Sequence, residues 1–230
     1  MCGVVAETLS PGYQRARALP YAESLGPAAE KKTLTAIERD RPETERARRR
    51  FQTRLSQVPA KDLVFLDESG VRTDLTRRYG RAPKGERVRE TVPHGRWQVL
   101  TILGALSTKG VQASMTVEAA TDTDVFLAFV EHVLAPTLRP GQIVVLDNLS
   151  AHKHRKIRRL LAARHCRLWY LPPYSPDLNP IELAWSKLKT FLRGAKARLR
   201  PALEEAVGAG LRTITARDAR NWFRHCRNTL

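Results

Sequence analysis

Three acidic residues stand where carboxylates can do chemistry: Asp67, Asp147 and Glu182. Asp67 closes the apolar run of LVFLDES (Leu63–Ser69), and Asp147 closes that of QIVVLDN (Gln142–Asn148). Both runs are short and continuous, the pattern of strands buried on both faces. Glu182 falls in the first turn of a helix that Asn179 and Pro180 announce, Asn as the capping residue and Pro at the first helical position. Acids at the carboxyl ends of neighbouring strands can converge at one edge of an open sheet. Gathered there, carboxylates repel one another and are costly to desolvate. A hard divalent cation removes that conflict, because Mg²⁺ is held by a few carboxylates, waters and phosphate oxygens. Two such ions support an in-line phosphoryl displacement. Each acid also has a plainer reading. Asp67 with Glu68 can be a solvated strand end, Asp147 with Asn148 can be turn chemistry, and Glu182 can serve Asn179 in a capping box. Singly, the plainer reading suits Asp67 and Glu182; the strand, strand, helix placement of all three favours a metal site.

The elements that must position these acids can be read in order. Residues 28–58 carry sparse apolar marks at Leu34, Ile37, Phe51 and Leu55, consistent with one or two helices, either an arm or part of a core. After the Leu63–Ser69 strand, the turn residues around Pro83–Gly85 and Pro93–Gly95 suggest a hairpin or flap. Trp97–Leu106 reads as a central strand, and the alternation of Val111, Ala113, Met115 and Val117 as a half-buried one. Thr121 and Asp124 fit a capping box before the helical stripe Val125–Leu134. The strand ending in Asp147, a basic helix over 152–164, a short strand over 167–171 and the proline loop PPYSPDLNP follow. Ile181, Trp185, Leu188 and Leu192 form the buried stripe of the next helix, and one or two more helices run to Cys226. The other tryptophans, Trp97, Trp169 and Trp222, are expected in the core. This order predicts an α/β fold: a ribonuclease-H-like mixed five-stranded sheet flanked by helices, with a helical N-terminal arm. Residues 1–59 are expected as arm and linker, and 60–230 as the catalytic domain with C-terminal helices.

Charge names a partner class. The 230-residue chain carries 40 Lys and Arg against 23 Asp and Glu, net +17, with 42% hydrophobic residues. That hydrophobic content excludes a disordered chain, and the charge points to a polyanion. Between Ala151 and Leu230, 18 basic residues face 5 acidic ones, so +13 of the +17 lies in that segment. A second basic run, Arg41–Arg54, reads as a solvated helix face. No apolar stretch is long enough to span a bilayer, and the first residues do not form a secretory signal. Cys2, Cys166 and Cys226 are too far apart for a CxxC pair and read as reduced thiols.

Three strings carry a family likeness: VFLDESG at Val64–Gly70, VVLDNLSAHK at Val144–Lys153 and YLPPYSPDLNPIELAWSKLK at Tyr170–Lys189. With 34 residues between Asp147 and Glu182, the chain resembles the D-D-E transposases of the mariner superfamily, in the bacterial insertion-sequence six-thirty branch. The resemblance implies a ribonuclease-H-like catalytic domain holding two Mg²⁺ or Mn²⁺ ions on Asp67, Asp147 and Glu182. It implies cleavage at a mobile element's inverted repeats and joining of the freed 3′-hydroxyl to target DNA, by a homodimer on double-stranded DNA in the bacterial cytoplasm. Asn148 and His152 follow Asp147 in the shared string and can position a phosphate, though His152 can equally be the start of a surface helix. Tyr174, Asp177 and Asn179 are expected to shape the loop that aims Glu182. Lys187, Lys189 and Arg193 are candidate DNA-phosphate contacts, or ordinary solvated charges. Arg77–Arg89 is a candidate DNA- or partner-contacting flap. Members carry helix-turn-helix modules ahead of this domain; here only about sixty residues precede Asp67, so the chain reads as a catalytic half, with a separate helix-turn-helix polypeptide as a candidate partner. The alternative is a non-catalytic remnant that binds DNA or transposase and modulates transposition.

Overall fold

The computed structural model describes residues 36–77, 79–93, 95, 97–118, 121–148 and 153–227. A compact unit runs from Ala36 to Leu230. Its core is a five-stranded sheet of order β3-β2-β1-β4-β5. The strands are β1 (Leu63–Arg72), β2 (Val99–Ser107), β3 (Gly110–Val117), β4 (Ile143–Leu146) and β5 (Arg167–Tyr170). β1, β2 and β3 pair antiparallel, whereas β1, β4 and β5 pair parallel. The sheet is therefore mixed, as the element order predicts, and the parallel half is reached by helical crossovers.

Side-chain parity builds two layers. Leu63, Phe65, Ile143 and Val145 face one side with Leu100, Ile102 and Leu106. Val64, Leu66, Val144 and Leu146 face the other with Leu103 and Ala105. Successive residues of a strand point to opposite faces, so a continuous apolar run is what a sheet covered on both sides requires. The first face is covered by α1 (Pro42–Ser56), α4 (Pro180–Ala195), α5 (Arg200–Arg212) and α6 (Ala216–Arg227). The second is covered by α2 (Thr123–Ala128) and α3 (Arg155–Ala163). α2 continues as a wider π turn over Phe129–Leu134 and a 3-10 turn over Ala135–Thr137. No helix among the described residues is long and apolar enough to cross a membrane.

Several local expectations are corrected. Asp122 caps α2, its Oδ1 accepting from the Val125 amide at 2.8 Å, while the Thr121 hydroxyl is buried without a partner. The segment between β1 and β2 forms no paired strands among its described residues, so its turn residues serve a long loop rather than a hairpin. Trp97 is not a core residue: it is 46% exposed, with the Arg72 guanidinium 4.7 Å above its ring. The Arg41–Arg54 run is not wholly solvated, because α1 buries Thr44, Arg48, Phe51, Gln52 and Leu55. Phe51 meets Trp169 edge-on at 6.3 Å, which makes α1 part of this core. Cys166 and Cys226 are free and buried, and burial pushes the Cys226 thiol up to about 12; Cys2 lies outside the described residues.

Candidate active site

Asp67 and Asp147 meet because β1 and β4 are parallel and adjacent. The last paired residues are Phe65 and Val145, and each acid stands two positions further on. Both share the parity of the face that α4 covers. The Leu171 amide donates to the Leu146 carbonyl at 2.7 Å, which starts the proline loop directly beside the end of β4. The loop then turns through Tyr174, whose backbone adopts a left-handed φ of 52°, and a 3-10 turn over Pro176–Leu178. Pro180 opens α4, its fixed φ suited to a first helical position whose N–H has no partner to lose. Glu182 thus arrives in the first turn of α4. Asp67, Asp147, Asn148, Tyr174, Asn179 and Glu182 line one open cleft of about 380 Å³.

The electrostatics of the cleft are those of crowded carboxylates. Burial raises Asp67 from its ordinary 3.8 to about 7, with Glu182 and then Asp147 adding repulsion. Burial likewise raises Glu182, against the opposing charge of Lys189. The capping-box reading of Glu182 is not supported: Asn179 occupies the N-cap, but its side chain makes no cap hydrogen bond. Instead Asn179 is 3% exposed and its Oδ1 has no partner. A buried acceptor at a cleft wall costs free energy unless something placed there satisfies it.

Two groups that the sequence does not mark as part of the site hold it in place. The Trp185 Nε1 donates to Asp67 Oδ2 at 3.1 Å. Trp185 is one helical turn after Glu182, so a single helix delivers one acid and grips another. Its ring lies over Gly104, the residue paired with Asp67 across β1 and β2. A Cβ at Gly104 would stand 2.4 Å from Cη2 of Trp185. Glycine at 104 leaves open the space that the indole occupies as it reaches the carboxylate. The second group is Arg48 of α1, whose Nη1 and Nη2 donate to Asp177 Oδ1 and Oδ2 at 2.9 and 2.6 Å. Arg39 adds a contact of 3.3 Å. Burial opposes ionisation of Asp177, but the Arg48 hydrogen bonds and the two positive charges outweigh it and hold its carboxyl below the usual range. Asp177 therefore lies outside the cleft lining and pins the proline loop to α1.

The remaining candidates separate. Lys187 donates to the Thr213 carbonyl at 2.8 Å and to Asp218 at 2.7 Å, which ties α4 to the corner between α5 and α6. Lys189 is near enough to Glu182 to act on its charge, and Arg193 lies in the last turn of α4. His154 caps α3, its Nδ1 accepting from the Lys156 amide at 3.3 Å. His152 lies outside the described residues. Near the loop between β1 and β2, Arg77 rests against Gly194 and Glu90 pairs with Lys196 at 2.7 Å. Among the described residues no three His, Cys, Asp or Glu side chains form a ready metal cluster.

The five-stranded sheet carries three acids to one cleft, and comparison with known proteins gives the family. Residues 62–204, well over half of the chain, match the family described as DDE superfamily endonuclease, and the chain belongs to that family. Its curated and structural relatives include Tc1-type and Mos1 mariner transposases. It is 30% identical over 112 residues to the Tcb2 transposase of Caenorhabditis briggsae, covering 47% of this chain and 41% of that protein. With the Tc1 transposase of Caenorhabditis elegans it shares 29% over 115 residues, 46% and 40% of the two chains. The fold superposes on a pre-cleavage Mos1 transpososome chain with a TM-score of 0.69 at 14% identity, covering 88% of this chain and 65% of that one. The isolated catalytic domain of Mos1 mariner transposase gives 0.56 at 13%, covering 86% and 93%. The ribonuclease-H-like fold is thereby established. The chain spans about two fifths of the length of the curated relatives it matches.

Proposed function

We propose that the protein is the catalytic part of a transposase: it cleaves DNA strands at the ends of a mobile element and joins the freed 3′-hydroxyl to target DNA. The observation that carries this reading is the convergence of Asp67, Asp147 and Glu182 on one cleft, with Asp67 raised to about 7. A buried carboxylate whose ionisation is opposed by burial and by its acidic neighbours is a site completed by positive charge. Asn179, with its unpartnered Oδ1, adds a further acceptor at the same wall. An all-oxygen donor set of this kind fits Mg²⁺ or Mn²⁺, which keep waters and substrate oxygens in their shell rather than needing a closed protein cage. We assign Asp67, Asp147 and Glu182 as the holders of two such ions. The ions would supply Lewis-acid stabilisation of the phosphoryl transition state. The chain's own work is positional. Trp185 fixes Asp67, the end of β4 places Asp147, and the loop pinned by Arg48 and Asp177 aims Glu182. Lys189 and Arg193 present charge along α4 for the DNA backbone.

Mos1 structures described as paired-end complexes, with Mg and with Mn, support a homodimer on DNA and this choice of metal. The strings around Asp147 and Glu182 support placement in the bacterial insertion-sequence six-thirty branch. In this reading the recognition of a particular end sequence belongs to a helix-turn-helix unit; ahead of β1 the described residues hold α1 and short 3-10 turns. Calorimetric titration with Mn²⁺ at pH 8 tests the metal assignment. Binding by the wild type that Asp147→Ala abolishes is expected; equal binding by both would refute it.

A further inference from the structure

A second charged cleft lies at the other end of the sheet. Asp67, midway along β1, and Asp147, one residue past β4, both lie beyond the last paired residues of the parallel pair, Phe65 and Val145. The opposite edge is formed by the residues that lead into β1 and β4 and by the turn between β2 and β3. Two adjoining depressions open there, sharing Lys61 and Thr108, one of about 480 Å³ against α6 and one of about 380 Å³ beside Arg139. Six cations line them: Lys61, Lys109, Arg139, Arg220, Arg224 and Arg227. None of the six pairs with an acid among the described residues. Arg227 donates to the Ser56 carbonyl and Arg139 to the Lys61 carbonyl, so two are fixed by backbone oxygens that leave their charge unneutralised. Lys61, Lys109, Arg220 and Arg224 are exposed.

The surface is built rather than frayed. Arg220, Arg224 and Arg227 recur at helical spacing on one side of α6, and Phe223 beside them anchors the helix, edge-on to Phe65 at 5.4 Å. The turn that carries Lys109 is closed by Ser107, whose Oγ accepts from the Lys109 amide at 3.3 Å. Gly110, at φ 113°, brings that turn against the α5–α6 corner, where a Cβ would stand 3.2 Å from the Ile214 carbonyl oxygen. The cations of turn and helix are thus held around two adjoining depressions joined at Lys61 and Thr108. Like charges so held repel, and a chain of phosphates relieves them.

We infer that this cleft is a second DNA-backbone site, binding duplex phosphates away from the scissile one. Leu63, where β1 begins two residues after Lys61, is four residues from Asp67, about 13 Å at a strand's rise of roughly 3.3 Å per residue. One phosphate cannot serve both places. The cleft therefore holds flanking or target duplex while the acidic cleft holds the strand being cut. The site rests on the DNA-processing role proposed above, and its test is chosen to be separable from that role.

The test is fluorescence anisotropy of a short mixed-sequence duplex in EDTA over a salt series, for the wild type and for the triple variant Lys109→Ala/Arg220→Ala/Arg224→Ala. All three residues are exposed, and alanine suits the helix. Each phosphate contact contributes about 0.9 to the slope of log affinity against log salt. The variant is expected to lose about 2 to 3 from that slope. The control, Arg46→Ala/Arg49→Ala/Arg50→Ala on the exposed side of α1, removes equal charge and is expected to change it little. An unchanged slope in the cleft variant, or an equal loss in the control, would overturn the assignment. Metal-dependent cleavage by the wild type, alongside an unchanged slope, would overturn the second site alone and leave the catalytic reading standing.

Discussion

Asp67 is the residue on which the site turns. Its carboxyl ionises near 7 in the folded protein and near 3.8 in the unfolded chain. Between those values the folded protein holds the extra proton, so stability falls as pH rises through this window and levels off above about 7. Glu182, also raised by burial, adds to the same trend. Metal-free protein is expected to melt at lower temperature at pH 8 than at pH 5, with a flatter profile for Asp67→Asn; a profile identical in both would remove Asp67 as the cause. Trp185→Phe keeps an aromatic ring and deletes the donor. A hydrogen bond to a charged group contributes about 1.5 kcal/mol or more, so Mn²⁺ affinity is expected to fall about tenfold, and calorimetry that finds it unchanged would dismiss the indole as a positioning group. Gly104→Ala forces a contact at 2.4 Å with the same ring and is expected to cost about 1–3 kcal/mol in denaturant melts, as overpacking does. That Asp67, Asp147 and Glu182 could share one cleft was legible in sequence, because they follow apolar runs or a proline. Trp185 read only as core, since its helical stripe predicts burial and says nothing of where one N–H points. Gly104 sat inside an apolar run with no mark of its own, because its reason is a contact with a residue 81 positions away.

Helices and strands were legible where one periodicity ran unbroken. The buried stripe of α4, Ile181, Trp185, Leu188 and Leu192, is the one its spacing predicts, whereas β1 runs on past Ser69 to Arg72, leaving Asp67 midway along it, and β4 stops at Leu146, one residue before Asp147. The region between β1 and β2 was not legible, since turn residues mark a change of direction but not whether strands pair across it. α1 was misjudged for a different reason. A run of six arginines and lysines in fourteen residues looks solvated, and only the tertiary partner shows that Arg48 is buried at 5% exposure against Asp177. That pair fixes the proline loop, hence the start of α4. Arg48→Ala leaves a partly buried carboxylate without its fork of donors and is expected to cost about 2–3 kcal/mol. A double-mutant cycle with Asp177→Ala checks it: coupling near zero would show that the loop is held by its prolines alone.

At the scale of the whole molecule, an excess of +17 and three acids in one cleft suit the proposed function, in which the surface grips a polyanion and the small acidic cleft works on it. The fold was legible from element order, because hairpin strands followed by crossovers leave few sheets to choose from. The distribution of charge over the surface was not, since +13 in one segment of sequence does not say which cations converge. The most direct measurement is cleavage of double-stranded DNA carrying the element's terminal repeats, with Mg²⁺, by the wild type and by Asp147→Ala side by side. Strand cleavage by the wild type that needs Mg²⁺ and disappears in the variant is the expected result. Equal nicking by both proteins, or cleavage that persists in EDTA, would contradict the assignment of this cleft as the catalytic centre.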